Sequence, residues 1–279
     1  MGAIADVERQ LARLRSREQA VDDVPELRAS TATHLVWAPP NWLAQARRTL
    51  QGLADRHPSR VVFLVPEPGR RDAVEASARI VEFDLGEARE VFSEVIELRL
   101  RGTPARHPGS IVLPLLIADL PAFCRWRGEP GWDSTAFEEI VHACDRLVVD
   151  SGEWKQLPAS YGKLAALFDR LAVSDIAFRR TLPWRARLAE LWPRSGRVSR
   201  LRVEGPRADA LLLAGWLRSR LRRDIELVRR SAPETRALAL DGEPVEPPTG
   251  TPLGASDLLS AELDMLGRDR VYEAAAASA

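Results

Sequence analysis

Residues 34–65 leave this chain few folds to choose from. His34–Trp37 (HLVW) and Arg60–Val65 (RVVFLV) are apolar runs of strand length. The second is continuous, the pattern of a strand buried on both faces. Between them Leu43, Ala46, Leu50 and Leu53 recur at helical spacing. Pro39–Pro40 closes the first strand, Asn41 is placed to cap the helix, and the helix is expected to end at His57–Pro58. Strand, helix and strand at this spacing make a βαβ unit.

The alternation continues. Arg79–Asp84 and Val91–Leu100 read as strands with little helix between them, so they are expected to pair antiparallel at a sheet edge. Ser110 opens the apolar segment Ile111–Ala118, with Pro114 in its first turn. Ala122–Trp126 is a strand; Phe137, Ile140, Val141 and Cys144 mark a helix; Arg146–Asp150 is a further buried strand. The fold class is therefore α/β, with a mainly parallel sheet in the first domain, residues 1–193. Pro193–Gly196 marks the boundary. Beyond it a smaller α+β module, 194–279, takes the strand Ser199–Glu204, a helix with Ala210, Leu213, Leu217 and Leu221 on one face, and strands at Ile225–Arg230 and Ala237–Leu240. Asp241–Ala255 reads as a Pro/Gly loop, Asp257–Leu266 as a helix, and the Ala-rich tail is expected to fray. A short amphipathic helix at Ile4–Leu14 opens the chain.

Composition narrows the function classes. Forty basic and forty acidic residues cancel, so the total charge gives no nucleic-acid signature. No apolar run reaches the ~18 residues of a membrane helix, and charges fall where a signal peptide needs an apolar core. A cytoplasmic protein is the expectation. Cys124 and Cys144 lie in no CxxC pair, and His34, His57, His107 and His142 are scattered singly, so neither a metal nor a cofactor is expected. A Cys124–Cys144 redox pair would need Cα atoms within about 7 Å, which sequence leaves open.

Phosphate-loop, dinucleotide and nucleophile-elbow motifs are missing from the sequence. The most site-like place is Asp150-Ser151-Gly152, at the carboxyl end of an apolar strand, where open parallel sheets gather ligands. Asp150 can accept from a sugar hydroxyl and Ser151 can donate; the alternative is a strand end that caps a turn. His57 with Arg60 can hold an anion, or His57 can sit at a helix C-terminus. These four residues define one reading, an enzyme or sensor for a phosphosugar or nucleotide.

Ser174–Trp192 (SDIAFRRTLPWRARLAELW) supports another. It reads as two helical pieces joined at Pro183, with Ser174 as the N-cap of the first. Trp184, Leu188, Leu191 and Trp192 form an apolar face in the second. Arg179, Arg180, Arg185 and Arg187 intervene, and tryptophan mixed with arginine is what contact surfaces favour, although a core helix also fits.

Five stretches in order resemble the glucose-6-phosphate dehydrogenase assembly protein family, OpcA. They are His57-Pro58-Ser59-Arg60; Ser110–Gly128 with its PLL-x-x-DLP block; Val149-Asp150-Ser151; the block DIAFRRTLPWRARL at Asp175–Leu188; and Leu258–Tyr272. In two places the chain departs from the family pattern: Cys124-Arg125-Trp126 replaces paired tryptophans and Phe178 replaces another. The thiol redox chemistry of some relatives is therefore not carried onto Cys124. The resemblance implies a bacterial, non-enzymatic partner that binds glucose-6-phosphate dehydrogenase and favours its active oligomer in the oxidative pentose phosphate pathway. The contact residues it points to are Trp126, Arg179, Arg180, Trp184 and Arg185, with Asp119 and Asp175 orienting arginines.

Overall fold

A computed structural model describes residues 30–279 apart from 54, 55, 85–89 and 266, and isolated positions before residue 30. Of the expected helix at Ile4–Leu14 the described positions Ala5, Arg9, Ala12 and Arg13 are helical, and the rest lies outside the described residues. The fold is α/β. A seven-stranded sheet runs in the order β3 (Ala73–Asp84), β4 (Glu90–Arg101), β2 (Arg60–Glu67), β1 (Thr33–Trp37), β5 (Ala122–Trp126), β6 (Arg146–Val149) and β7 (Ala172–Asp175), and a four-stranded sheet in the order β11 (Glu243–Val245), β10 (Ala237–Leu240), β8 (Arg200–Gly205) and β9 (Glu226–Ser231). The chain divides into two compact units, residues 1–147 with 259–264 and residues 148–258 with 265–279.

In the first unit β1 (Thr33–Trp37) pairs parallel with β2 (Arg60–Glu67) and with β5 (Ala122–Trp126). Between β1 and β2 runs α1 (Pro40–Gln51), which buries Leu43 and Ala46. The βαβ unit is as expected, but its helix begins two residues early. Pro39 takes the N-cap position with extended dihedrals, and Pro40 starts the helix because its missing N–H is not needed there. Asn41 is therefore inside the first turn. The helix stops at Gln51, so His57 does not sit at its C-terminus.

The strands β3 (Ala73–Asp84) and β4 (Glu90–Arg101) pair antiparallel, with β3 at the sheet edge and β4 parallel to β2. Ile96, Leu98 and Leu100 are fully buried, whereas Glu97 and Arg99 between them are partly exposed. This is the period-2 alternation of a one-sided strand. Two short helices follow, α2 (Thr103–Arg106) and α3 (Gly109–Val112), and then a 3-10 turn at Leu113–Leu115. The apolar segment Ile111–Ala118 is therefore helical only at its start; it is extended again by Leu116. After β5 comes α4 (Thr135–His142), capped by Ser134, whose side chain accepts from the Phe137 N–H. Trp126 stacks on Trp37 at a centroid distance of 4.5 Å and meets the Phe137 ring edge-on at 5.0 Å.

The strand β6 (Arg146–Val149) ends at the 3-10 turn Ser151–Glu153. In the second unit α5 (Ala159–Ala165) leads to β7 (Ala172–Asp175), and β7 runs directly into α6 (Ile176–Arg180) and α7 (Leu182–Glu190). The two-piece helix is present, with the break at Thr181 and Pro183 in the first turn of the second piece. Ser174 does not cap it. That residue is still in the strand, and Asp175 supplies the cap by accepting from the Ala177 N–H.

The second sheet comprises β8 (Arg200–Gly205), β9 (Glu226–Ser231), β10 (Ala237–Leu240) and β11 (Glu243–Val245). The strand β11 was not legible, because a three-residue run containing proline carries no periodic signal. The helix α8 (Arg207–Leu221) covers this sheet, and its residues Ala210, Leu213 and Leu217 join Leu201, Val203, Ile225, Trp184 and Leu188 in one core. The last helices are α9 (Ala255–Leu263) and α10 (Arg270–Ala277). The Ala-rich tail is ordered rather than frayed. Asp269 caps it by accepting from Val271 and Tyr272, and Tyr272, Ala275 and Ala276 are buried.

Candidate functional site

The second unit gathers most of the sequence-derived candidates around one guanidinium. Asp150 follows β6, Arg180 ends α6, and Asp209 lies in the first turn of α8. Arg180 donates to Asp209 from Nε (3.3 Å to each oxygen) and from Nη2 (3.2 Å), and its Nη2 also reaches Asp150 Oδ1 at 3.3 Å. Burial works against the Arg180 charge, but the two carboxylates outweigh it and hold its pKa above the usual arginine value. Burial pushes the Asp209 carboxyl up, against the opposing pull of Arg180. Thr235 Oγ1 completes the set by donating to Asp209 Oδ2 at 3.0 Å.

Behind this pair lies a second polar cluster. Asp175, 2% exposed, accepts from the Ser151 N–H (3.0 Å), the Ala177 N–H (2.9 Å) and the Tyr272 hydroxyl (3.3 Å). It therefore orients a tyrosine and two backbone amides, not an arginine. Burial, and after it the charge of Asp150, pushes the Asp175 carboxyl up to about 7. Ser151 is fully buried, with its hydroxyl 2.9 Å from the Tyr161 hydroxyl. Burial likewise raises the Tyr161 pKa well above the phenol range.

Next to the Arg180–Asp209 pair is a cavity of about 300 Å³. Arg179, Pro183 and Trp184 form part of its wall, and the loop Pro247–Leu253 forms another part. Trp184 is 5% exposed and belongs to the core; its Nε1 donates to the Thr235 carbonyl at 3.1 Å. Arg179 contacts Met265 Sδ at 2.8 Å. Arg185 lies over the Phe178 ring, 3.6 Å from its centroid, and donates to the Phe178 carbonyl and to Thr181 Oγ1. Trp192, expected on the buried face, is 66% exposed. The helix ends before it, so helical spacing no longer carries its ring inward.

The remaining candidates lie in the first unit. Trp126 is 4% exposed within the aromatic cluster around β5. Asp119 is exposed, with φ of 64°, and its side chain pairs with no described residue. His57 Nε2 is 2.7 Å from Ser260 Oγ, and Arg60 binds Glu94 and the Leu115 carbonyl. Both cysteines are free thiols; the Cys124 thiol beside it, together with burial, pushes the Cys144 thiol up. Among the described residues no group of three or more His, Cys, Asp or Glu side chains is placed to hold a metal ion, and no helix is long and apolar enough to cross a membrane.

Sequence reasoning missed Asp209, Tyr161, Tyr272 and Thr235. Asp209 carried a usable signal: it is the one charge in the run ADALLLAG, and a charge inside an apolar helix start requires a partner. The tyrosines and Thr235 carried none, because their roles depend on contacts far apart in the chain.

Residues 50–166 match the family model described as glucose-6-phosphate dehydrogenase subunit N-terminal domain, and residues 171–253 match the corresponding C-terminal domain. The chain belongs to the OpcA family. It is 27% identical over 186 residues to the Nostoc punctiforme protein named "Putative OxPP cycle protein OpcA", covering 62% of this chain and 40% of that protein. Proteins of the same name from Synechococcus elongatus and Synechocystis are each 26% identical over 181 residues, covering 61% of this chain. The chain thus spans about 40% of the length of the OpcA relatives it matches. The boundary between the two OpcA domain matches falls between α5 and β7, and the Arg180–Asp209 pair and all of the Trp184 cavity wall but Leu258 lie within the C-terminal match.

Proposed function

We propose that this chain is a non-catalytic partner of glucose-6-phosphate dehydrogenase that binds the enzyme and favours its active oligomer. The observation that carries this reading is the consecutive match to two domain models named for a subunit of that dehydrogenase. The chemistry of the polar cluster supports it. Each group that would serve a reaction has an internal partner: Asp209 binds Arg180 and Thr235, Asp175 accepts three donors, and the Ser151 hydroxyl meets Tyr161. Such a network holds elements in place rather than waiting for substrate.

Arg179 and Arg185 are the contact arginines in this reading, presented by α6 and α7. Trp184 and Asp175 set the position of those helices from below; in the first unit exposed Asp119 is a separate contact candidate, whereas Trp126 is buried and acts only through packing. Activation then requires only that the chain bind the active conformation more tightly than the inactive one.

The test is a titration of this protein into the dehydrogenase of the same organism, following NADP reduction over a range of glucose-6-phosphate concentrations, with size-exclusion chromatography alongside. Co-elution with a lower half-saturation point or a higher turnover is the expected result. No co-elution and no kinetic change would overturn the reading. Thermal stabilisation of the isolated chain by a phosphosugar or nucleotide would instead favour a ligand-binding protein.

A further inference from the structure

Two features of the second unit point to the same place. Among the described residues four large apolar side chains are markedly exposed: Leu113, Leu182, Trp192 and Leu253. Two of them, Leu182 (43% exposed) and Leu253 (55%), line the cavity of about 300 Å³ beside Trp184. Three prolines of the facing loop, Pro247, Pro248 and Pro252, stiffen that wall and lower the entropy lost when something docks there.

Charge decides what that occupant is. Arg179, Arg180 and Arg236 line the cavity together with Asp209 and Glu234. Two further carboxylates are bound to these arginines from behind, Asp150 to Arg180 and Glu204 to Arg236. The acidic groups therefore match or exceed the basic ones, and a phosphate or other full anion gains nothing there. Arg180 still has a donor to give. Its Nε and Nη2 are held by Asp209 and Asp150, while its Nη1 has no hydrogen-bond partner among the described residues, and the side chain is 35% exposed. A guanidinium fixed in this way is suited to a neutral acceptor such as a peptide carbonyl.

We propose that this cavity is an anchor pocket for an uncharged segment of the dehydrogenase, which inserts one bulky apolar side chain against Trp184, Pro183 and the proline loop. A backbone carbonyl of that segment accepts from Arg180 Nη1. Leu182 and Leu253 are covered by the chain on either side of the inserted residue, which a small molecule confined to the cavity would leave exposed. This inference rests on the reading of the protein as a dehydrogenase partner, and it locates the centre of that contact.

The experiment compares the affinity of the dehydrogenase for the wild-type chain, Leu182→Asp, Leu253→Asp and Trp192→Ser, with a melting curve for each. Both leucines are exposed, and Leu182 opens a helix, where aspartate is tolerated. The expected result is a loss of about tenfold or more for each leucine variant, the size expected of an anchor residue, with unchanged melting and with Trp192→Ser binding as wild type. Leucine variants that bind as well as wild type would overturn the anchor pocket while leaving the dehydrogenase reading intact. Absence of binding by the wild-type chain overturns both. Two other occupants are tested on the isolated protein. Stabilisation by glucose-6-phosphate, NADP or inorganic phosphate that Leu253→Asp abolishes would reassign the cavity to a small anion. A wild-type dimer that Leu253→Asp dissociates would reassign it to a second copy of this chain.

Discussion

Arg180 grips Asp209 with two nitrogens, Nε at 3.3 Å from both carboxylate oxygens and Nη2 at 3.2 Å from Oδ1. The contact joins the end of α6 to the first turn of α8, and Asp150 extends it to the end of β6. Asp209 is fully buried, so its charge is tolerable only while Arg180 remains beside it.

Removing one partner should therefore cost more than removing both. Asp209→Ala is expected to lower stability by about 3–5 kcal/mol, the penalty for breaking a buried pair. The double variant Asp209→Leu with Arg180→Met should recover much of that loss. Urea denaturation midpoints measure both. A double variant as unstable as the single one would mean that the pair contributes more than mutual neutralisation.

Asp175 gives a pH signature. Its folded-state pKa, about 7, lies above the ordinary aspartate value of 3.8. Between those values the folded state holds a proton that the unfolded state has released, so this residue's contribution is full below pH ~4 and is lost as pH rises to ~7. Glu67, Asp72 and Asp241 act with the opposite sign, because hydrogen bonds to arginine, threonine or serine groups hold them below their usual values. The informative quantity is thus the stability of Asp175→Asn minus that of wild type. Relative to wild type the variant should gain a few kcal/mol between pH 4 and 7 and then level off. A difference independent of pH over that range would show that the carboxyl is already ionised at acidic pH.

Trp184 divides core from surface roles. At 5% exposure in the core beneath the second sheet, Trp184→Ala is expected to cost about 3–5 kcal/mol, and it also leaves the Thr235 carbonyl without its donor. Trp192→Ser, at a residue 66% exposed, should stay within about 0.5 kcal/mol of wild type. Thermal melts of the pair check the contrast.

The C-terminal helix docks where α8 has no side chain. A Cβ at Gly215 would lie 2.1 Å from the Ala275 carbonyl oxygen and 2.9 Å from the Ala279 nitrogen. Gly215→Ala should cost about 1–3 kcal/mol by overpacking, and Gly215→Leu should release α10 and make it a protease target. Limited proteolysis with mass spectrometry shows whether cleavage falls in residues 268–279. Unchanged resistance in the leucine variant would mean that α10 is held by contacts other than the α8 face.

The elements that sequence alone determined are those whose signal is local. The βαβ unit of β1, α1 and β2, the β3–β4 edge pair, β5, and the broken helix before and after Thr181 follow from apolar period and proline position. Capping was less secure: Asp175, not Ser174, caps α6, because β7 holds Ser174 in the strand. The Ala-rich tail looked unsupported because alanines have little to bury by themselves. It becomes a helix because Gly215 lets it approach α8 and Asp269 caps it.

The polar cluster was half legible. Asp150 and Ser151 stood out at a strand end, Arg180 among the arginines of Ser174–Trp192 and Asp175 through the family resemblance, whereas Asp209 was missed although it is a charge in an apolar helix. Only the tertiary structure decided that these residues meet, since Arg180 and Asp209 are 29 positions apart and Asp175 and Tyr272 are 97 apart. Local periodicity records which face of an element is apolar. A buried charge records only that some partner exists, and the fold alone determines which one.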